Sequence, residues 1–252
     1  MKFFIVILGL VISCCLVTIV SASESGDPAS LFDSVLSRYV SQDGLVHYKG
    51  LKEDKDFMRY IEYLSTTDPD KLPTDKHRMA FWINAYNAFV LKGVLEEYPI
   101  KSVLDVGWMP HSFFKRKEFV SKQGKITLQK IENERLREAF REPRIHFAIN
   151  CASMSCPKLL TEVYKAEKLE QQLETQAISF ISNKSRNYLD KENKVLYLSS
   201  LFKWYEGDFI QKGEKLEEYV ARYLNQKDAE FTRNNKVTVK YLDYDWVLNE
   251  QK

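Results

Sequence analysis

Residues 145–157 hold His146, Cys151 and Cys156, an imidazole and two thiols in one short stretch. They include one of four histidines and both cysteines that lie outside an apolar N-terminal segment. An imidazole draws a thiol toward its reactive thiolate, so the pairing suits nucleophilic catalysis near neutral pH. The apolar run 145–150 reads as a short strand buried on both faces. Alternation along it puts His146, Ala148 and Asn150 on one face and Phe147, Ile149 and Cys151 on the other. Pro157 favours a first helical position, which sets Cys156 beside a helix N-terminus, where the dipole and free N–H groups stabilise a thiolate. Cys156 then becomes the nucleophile and His146 its general base, brought together by the loop 151–155.

Such a pair needs a third group to orient the imidazole. Glu132, on the helix before His146, is the favoured partner; Asn84, Asn87 and Asp208 are the other candidates. Asn84 or Asn87 could also supply an oxyanion donor. The same residues admit plainer readings. Cys151 and Cys156 can form a disulfide, structural or redox-active; Cys151 can be an inert buried thiol; His146 can be a satisfied core histidine. The spacing of His146, Cys151 and Cys156 matches no standard zinc arrangement, so neither a metal nor a cofactor is expected.

The elements that must position these groups follow from periodicity. Helices are expected over 28–40, 52–64, 128–140 and 166–181. The longest starts after Pro73 with Thr74 as N-cap and runs toward Pro99, apolar nearly all round between residues 79 and 91. Strands are expected at 45–48 and 195–198, a hairpin turns at Lys122-Gln123-Gly124, two helices over 201–223 break at Gly213, and a closing strand lies in 237–248. Helices interspersed with a small mixed or antiparallel sheet make the fold α+β, one domain over residues 23–252.

Phe3 to Val20 carry no charge, follow Lys2, and end in Val20-Ser21-Ala22, which reads as a signal peptide over residues 1–22 cut before Ser23. An uncleaved anchor or a lipid-attached Cys14 are the alternatives. Each sends the chain out of the cytoplasm: periplasmic, secreted, or tethered to a membrane through its N-terminus. Removing Lys2 lowers the formal charge from +2 to +1, too little for a nucleic-acid partner.

Several segments together resemble the domain of unknown function 547. They are Phe81-Trp82-Ile83-Asn84-Ala85-Tyr86-Asn87-Ala88, then His146-Phe147-Ala148-Ile149-Asn150-Cys151 with Ser155-Cys156-Pro157. Ile131-Glu132 with Leu136-Arg137, Leu198 to Tyr205 with Asp208-Phe209, and Tyr244 to Asn249 fit as well. The resemblance spans about residues 30–249. It implies a papain-like set of Glu132, His146 and one of Cys151 or Cys156; some relatives carry a glutaredoxin-like domain, which implies thiol chemistry. In papain-like enzymes, however, the nucleophilic cysteine precedes its histidine and starts a central helix, whereas here His146 precedes both thiols.

The expectation is therefore an exported, thiol-dependent hydrolase or acyl transferase acting on an amide, peptide or thioester. The alternatives are a thiol–disulfide redox protein using Cys151 and Cys156 on a thiol substrate, and a non-catalytic binding module stapled by that disulfide.

Overall fold

Thr74 caps the longest helix, its hydroxyl accepting from His77 N–H and satisfying one of the orphan amides of the first turn. The helix runs Asp75–Glu97 and buries every residue from Ala80 to Leu91. It is the axis of an α+β fold described over residues 28–210 and 213–252 in a computed structural model. The expected signal or anchor over residues 1–22 lies outside the described residues. Among those described, no helix is long and apolar enough to cross a membrane.

Around the long helix pack Pro28–Tyr39 and Lys55–Thr66, whose buried Phe32, Leu36, Phe57, Tyr60 and Leu64 join one large apolar core. The hairpin forms as expected: β1 (Glu118–Ser121) pairs antiparallel with β2 (Gly124–Thr127), and Phe119 stacks on Phe89 of the long helix at 4.9 Å. A second core gathers Phe180, Leu196, Phe202, Phe209 and Tyr219. It lies with a three-stranded mixed sheet in the order β3 (Tyr188–Asp190), β4 (Val195–Ser199), β5 (Thr238–Leu242), β3–β4 being antiparallel and β4–β5 parallel.

Several expectations change. The chain from Pro143 to Phe147 is a 3₁₀-helix, not a strand. Pro143 opens it and the Glu142 carboxylate accepts from Arg144 N–H; a short apolar run carries no period that separates a buried strand from a buried helical turn. Residues 45–48 form no strand: Val46 makes only isolated bridges, and Tyr48–Leu51 is a helical turn. No helix starts at Pro157; the next begins at Leu169. The 201–223 region divides into Ser200–Trp204, Glu206–Phe209 and Leu216–Ala221, with Gly213 at φ +80° between the last two.

The loop 148–157 is held by side-chain amides as well as by backbone pairing with the C-terminal tail. Asn87 donates to Ala148 C=O (3.0 Å) and accepts from Asn150 N–H (2.8 Å). Asn150 in turn accepts from Ala152 N–H (2.8 Å) and donates to Pro157 C=O (2.7 Å). Asn84 clasps Tyr164 in the same two-way fashion, and Gln176 donates to Phe147 and Lys158 carbonyls. Asn84 and Asn87 thus act as structural amides, each clasping buried backbone.

Asn87→Ala strips partners from two buried backbone groups, each costing about 1–3 kcal/mol when unpaired. Urea unfolding should show a loss of at least about 2 kcal/mol, whereas the surface change Asn193→Ala should cost far less; equal effects would refute the clasp.

Candidate functional site

The segment Leu128–Lys130, Ile131–Arg137, Glu138–Phe140 is helical throughout, but its middle is π-helical. Bonds from i to i+5 widen the turn, so residues five apart come to one side of the helix, which α-geometry would not allow. Glu132 and Arg137 are five apart, and both line a cleft of about 490 Å³. His146 and Tyr205, from the 3₁₀-turn and the Ser200–Trp204 helix end, form part of its wall. The disulfide of Cys151 and Cys156 and the rings of Tyr86, Trp204, Tyr244 and Trp246 complete much of the rest.

His146 is 2% exposed and lies flat on Tyr205, ring centroids 4.0 Å apart. Its Nε2–H donates to Asp208 Oδ2 at 2.6 Å. Arg137 grips the same carboxylate with two bonds, Nε to Oδ2 at 2.5 Å and Nη2 to Oδ1 at 3.1 Å, and its guanidinium lies 5.1 Å over Tyr205. Burial works to raise the Asp208 pKa, but the hydrogen bonds and charges of His146 and Arg137 outweigh it and hold the carboxyl well below its ordinary range. The imidazole's orienting group is therefore Asp208. Glu132, favoured for that role from the sequence, lines the same cleft, and its charge adds to burial in raising the Tyr205 hydroxyl pKa.

Cys151 and Cys156 are bonded to each other. Cys156 lacks the helix N-terminus expected for it, and two other donors take that part: Cys151 N–H at 2.8 Å from Cys156 Sγ and the Tyr244 hydroxyl at 3.3 Å. The Tyr244 hydroxyl also lies 3.2 Å from Cys151 Sγ, as does Ser153 Oγ. Burial pushes the Tyr244 phenol up to about 12, against hydrogen bonding from Ser153 and the charge of Arg186, so near neutral pH it is a donor. Cys156 is 5% exposed, while Cys151 is half-buried.

The tail delivers Tyr244. Met154 N–H donates to Val247 C=O, Ser155 N–H to Asp245 C=O and Asn249 N–H to Ala152 C=O. This pairing follows the disulfide loop instead of the sheet, so the expected closing strand stops at Leu242. Arg137, Tyr205 and Tyr244 lie in segments that carry the family resemblance, but the sequence assigns them no role in the site. The Tyr244–Trp246 spacing of two was the available signal, since an extended chain sends both to one side. Among the described residues no three His, Cys, Asp or Glu side chains gather so as to hold a metal ion.

Residues 69–181 match the family model described as Protein of unknown function, DUF547. This segment belongs to the DUF547 family. No curated protein and no solved structure matches the chain. The DUF547 segment contains Asn84, Asn87, Glu132, His146, Cys151 and Cys156, whereas Asp208, Tyr205 and Tyr244 reach the cleft from beyond it.

A carboxyl with a depressed native pKa stabilises the fold above its unfolded value of about 3.9 and loses that contribution as pH falls below it. Urea midpoints of the wild type should therefore drop as the solution is acidified from about pH 5 to 2, and Asp208→Asn should be weaker at pH 7 with a flatter acid limb. Parallel limbs in the two proteins would contradict the role given to Asp208.

Proposed function

We propose that the protein is an exported thiol–disulfide exchange protein whose redox couple is Cys151–Cys156. The observation that carries this reading is a disulfide in the wall of an aromatic cleft, with Cys151 half-buried, Cys156 buried, and the Tyr244 hydroxyl 3.2 and 3.3 Å from their two sulfurs. The incoming thiolate attacks the more accessible Cys151 Sγ. The Cys151–Cys156 bond breaks, and its electron pair leaves on Cys156 Sγ, where the Cys151 N–H and the Tyr244 hydroxyl receive it. A second substrate thiolate attacks the substrate sulfur of the mixed disulfide and expels Cys151 as thiolate. Two substrate thiols are thereby oxidised to one disulfide, and the protein is left with two thiols. The export expected from residues 1–22 fits this reading, because disulfides persist outside the reducing cytoplasm.

His146 favours a second reading for the reduced form. Held by Asp208 in the same cleft, it could act as general base for a free cysteine, which is the hydrolase or acyl-transferase expectation. That chemistry requires an unbonded thiol, so it ranks behind exchange.

Equilibration of the mature protein with glutathione buffers should place the couple above about −300 mV, where strained or catalytic disulfides lie. A potential below that value would mark a structural staple and end the exchange reading. Tyr244→Phe keeps the ring packed against Trp204 and Trp246, at centroid distances of 4.7 and 4.8 Å, but removes the hydroxyl. In the reduced protein the Cys156 thiol pKa, followed by alkylation against pH, should rise by about one unit. An unchanged titration would show that Tyr244 does not stabilise the leaving sulfur.

A further inference from the structure

Exchange at the disulfide leaves Glu132 without a task. Glu132 is 9% exposed and lines the cleft. Among the described residues it makes no ion pair. Arg137 is within electrostatic reach, but it gives Nε and Nη2 to Asp208 and Nη1 to Asn133. His146 also gives its hydrogen bond to Asp208. Lys115 lines the cleft from an exposed position, where solvent screens it. Its charge falls instead on the neutral Tyr205 hydroxyl, whose pKa it helps raise after burial. A buried carboxylate with no cation of its own is an expensive arrangement, and a cation arriving with a ligand would relieve it.

The surroundings suit such a cation. Trp204 is 47% exposed and lies 4.7 Å from Tyr244 and 5.8 Å from Trp246, centroid to centroid. Ring faces attract ammonium and guanidinium groups. The charge of Glu132 is felt across this wall: after burial, it is among the causes that raise the hydroxyl pKa values of Tyr86, Tyr205 and Tyr244.

We propose that Glu132, with the ring wall of Trp204, Tyr244 and Trp246, selects thiol substrates that carry a positive charge next to the sulfur. The substrate class is then an aminothiol, or a cysteine flanked by an amine or basic side chain, and thiols bearing carboxylates are disfavoured. This rests on the exchange reading of the same cleft and adds its specificity.

The test is the rate at which the oxidised mature protein is reduced at low ionic strength by cysteamine, 2-mercaptoethanol and 3-mercaptopropionate. These are short thiols with a positive, a neutral and a negative end. Dividing each wild-type rate by that of Glu132→Gln cancels the intrinsic reactivity of the thiol. The preference for cysteamine over mercaptopropionate should fall at least tenfold in E132Q. Trp204→Leu, at an exposed position that leaves Glu132 in place, should reduce it two- to threefold and serves where E132Q does not fold. Acetylated, amidated Lys-Cys and Glu-Cys dipeptides separate the sources: discrimination between them assigns a peptide substrate, and discrimination confined to cysteamine a small aminothiol. Equal preferences in wild type, E132Q and W204L would overturn the specificity while leaving exchange intact. Failure of every thiol to reduce the wild type would overturn the exchange reading, and this inference with it.

Discussion

The cleft depends on a line of buried side-chain amides that substitute for secondary structure. Asn87 fixes Ala148 and Asn150, and Asn150 fixes Ala152 and Pro157. Asn249 reaches Asn150 and Gly44 while accepting from the Tyr48 hydroxyl. A loop this deep would otherwise strand several backbone donors and acceptors, each at a cost comparable to a lost hydrogen bond. The amides also set its shape. Ala152 is held at φ +60° with no exposed surface, a left-handed conformation that a non-glycine residue keeps only where its surroundings enforce it. The amides thus act together with the sulfur–sulfur bond in closing the half-turn between Cys151 and Cys156.

The two halves of the site belong to different cores. Ile145, Ala148 and Ile149 pack with the long helix, whereas Phe147 packs with Phe180, Phe202 and Phe209. The 3₁₀-turn carrying His146 straddles the two, so the ring emerges at their junction. Asp208 and Tyr205 come from the second core's side and Arg137 from the π-helical segment. The bidentate Arg137–Asp208 pair, with His146 on the same carboxylate, ties these elements together. Charge-assisted bonds of this geometry are directional, so the network orients the imidazole as well as joining the halves.

Much of the architecture was legible in the chain. Thr74 before an apolar run announced the long helix, and Lys122-Gln123-Gly124 announced the hairpin. Glu132, His146, Cys151 and Cys156 were recognisable as a set, and they do line one cleft. Their relations were not legible. Alternation assigned His146 and Cys151 to opposite faces of a strand that does not exist, and Pro157 suggested a helix that starts only at Leu169. An α-helical reading of 128–140 keeps Glu132 and Arg137 apart; the π-turn brings them together.

What the sequence by itself determined was local: where chain segments become helical, which residues are apolar enough to be buried, and which side chains can do thiol chemistry. Capping, periodicity and side-chain type act over a few residues, so they survive without tertiary context. Only the tertiary structure decided that Asp208, sixty-two residues beyond His146, orients the imidazole, and that Tyr244, eighty-eight beyond Cys156, meets the sulfur. Such partners are selected by long-range packing and by the need to satisfy buried polar groups, neither of which leaves a periodic trace in the chain.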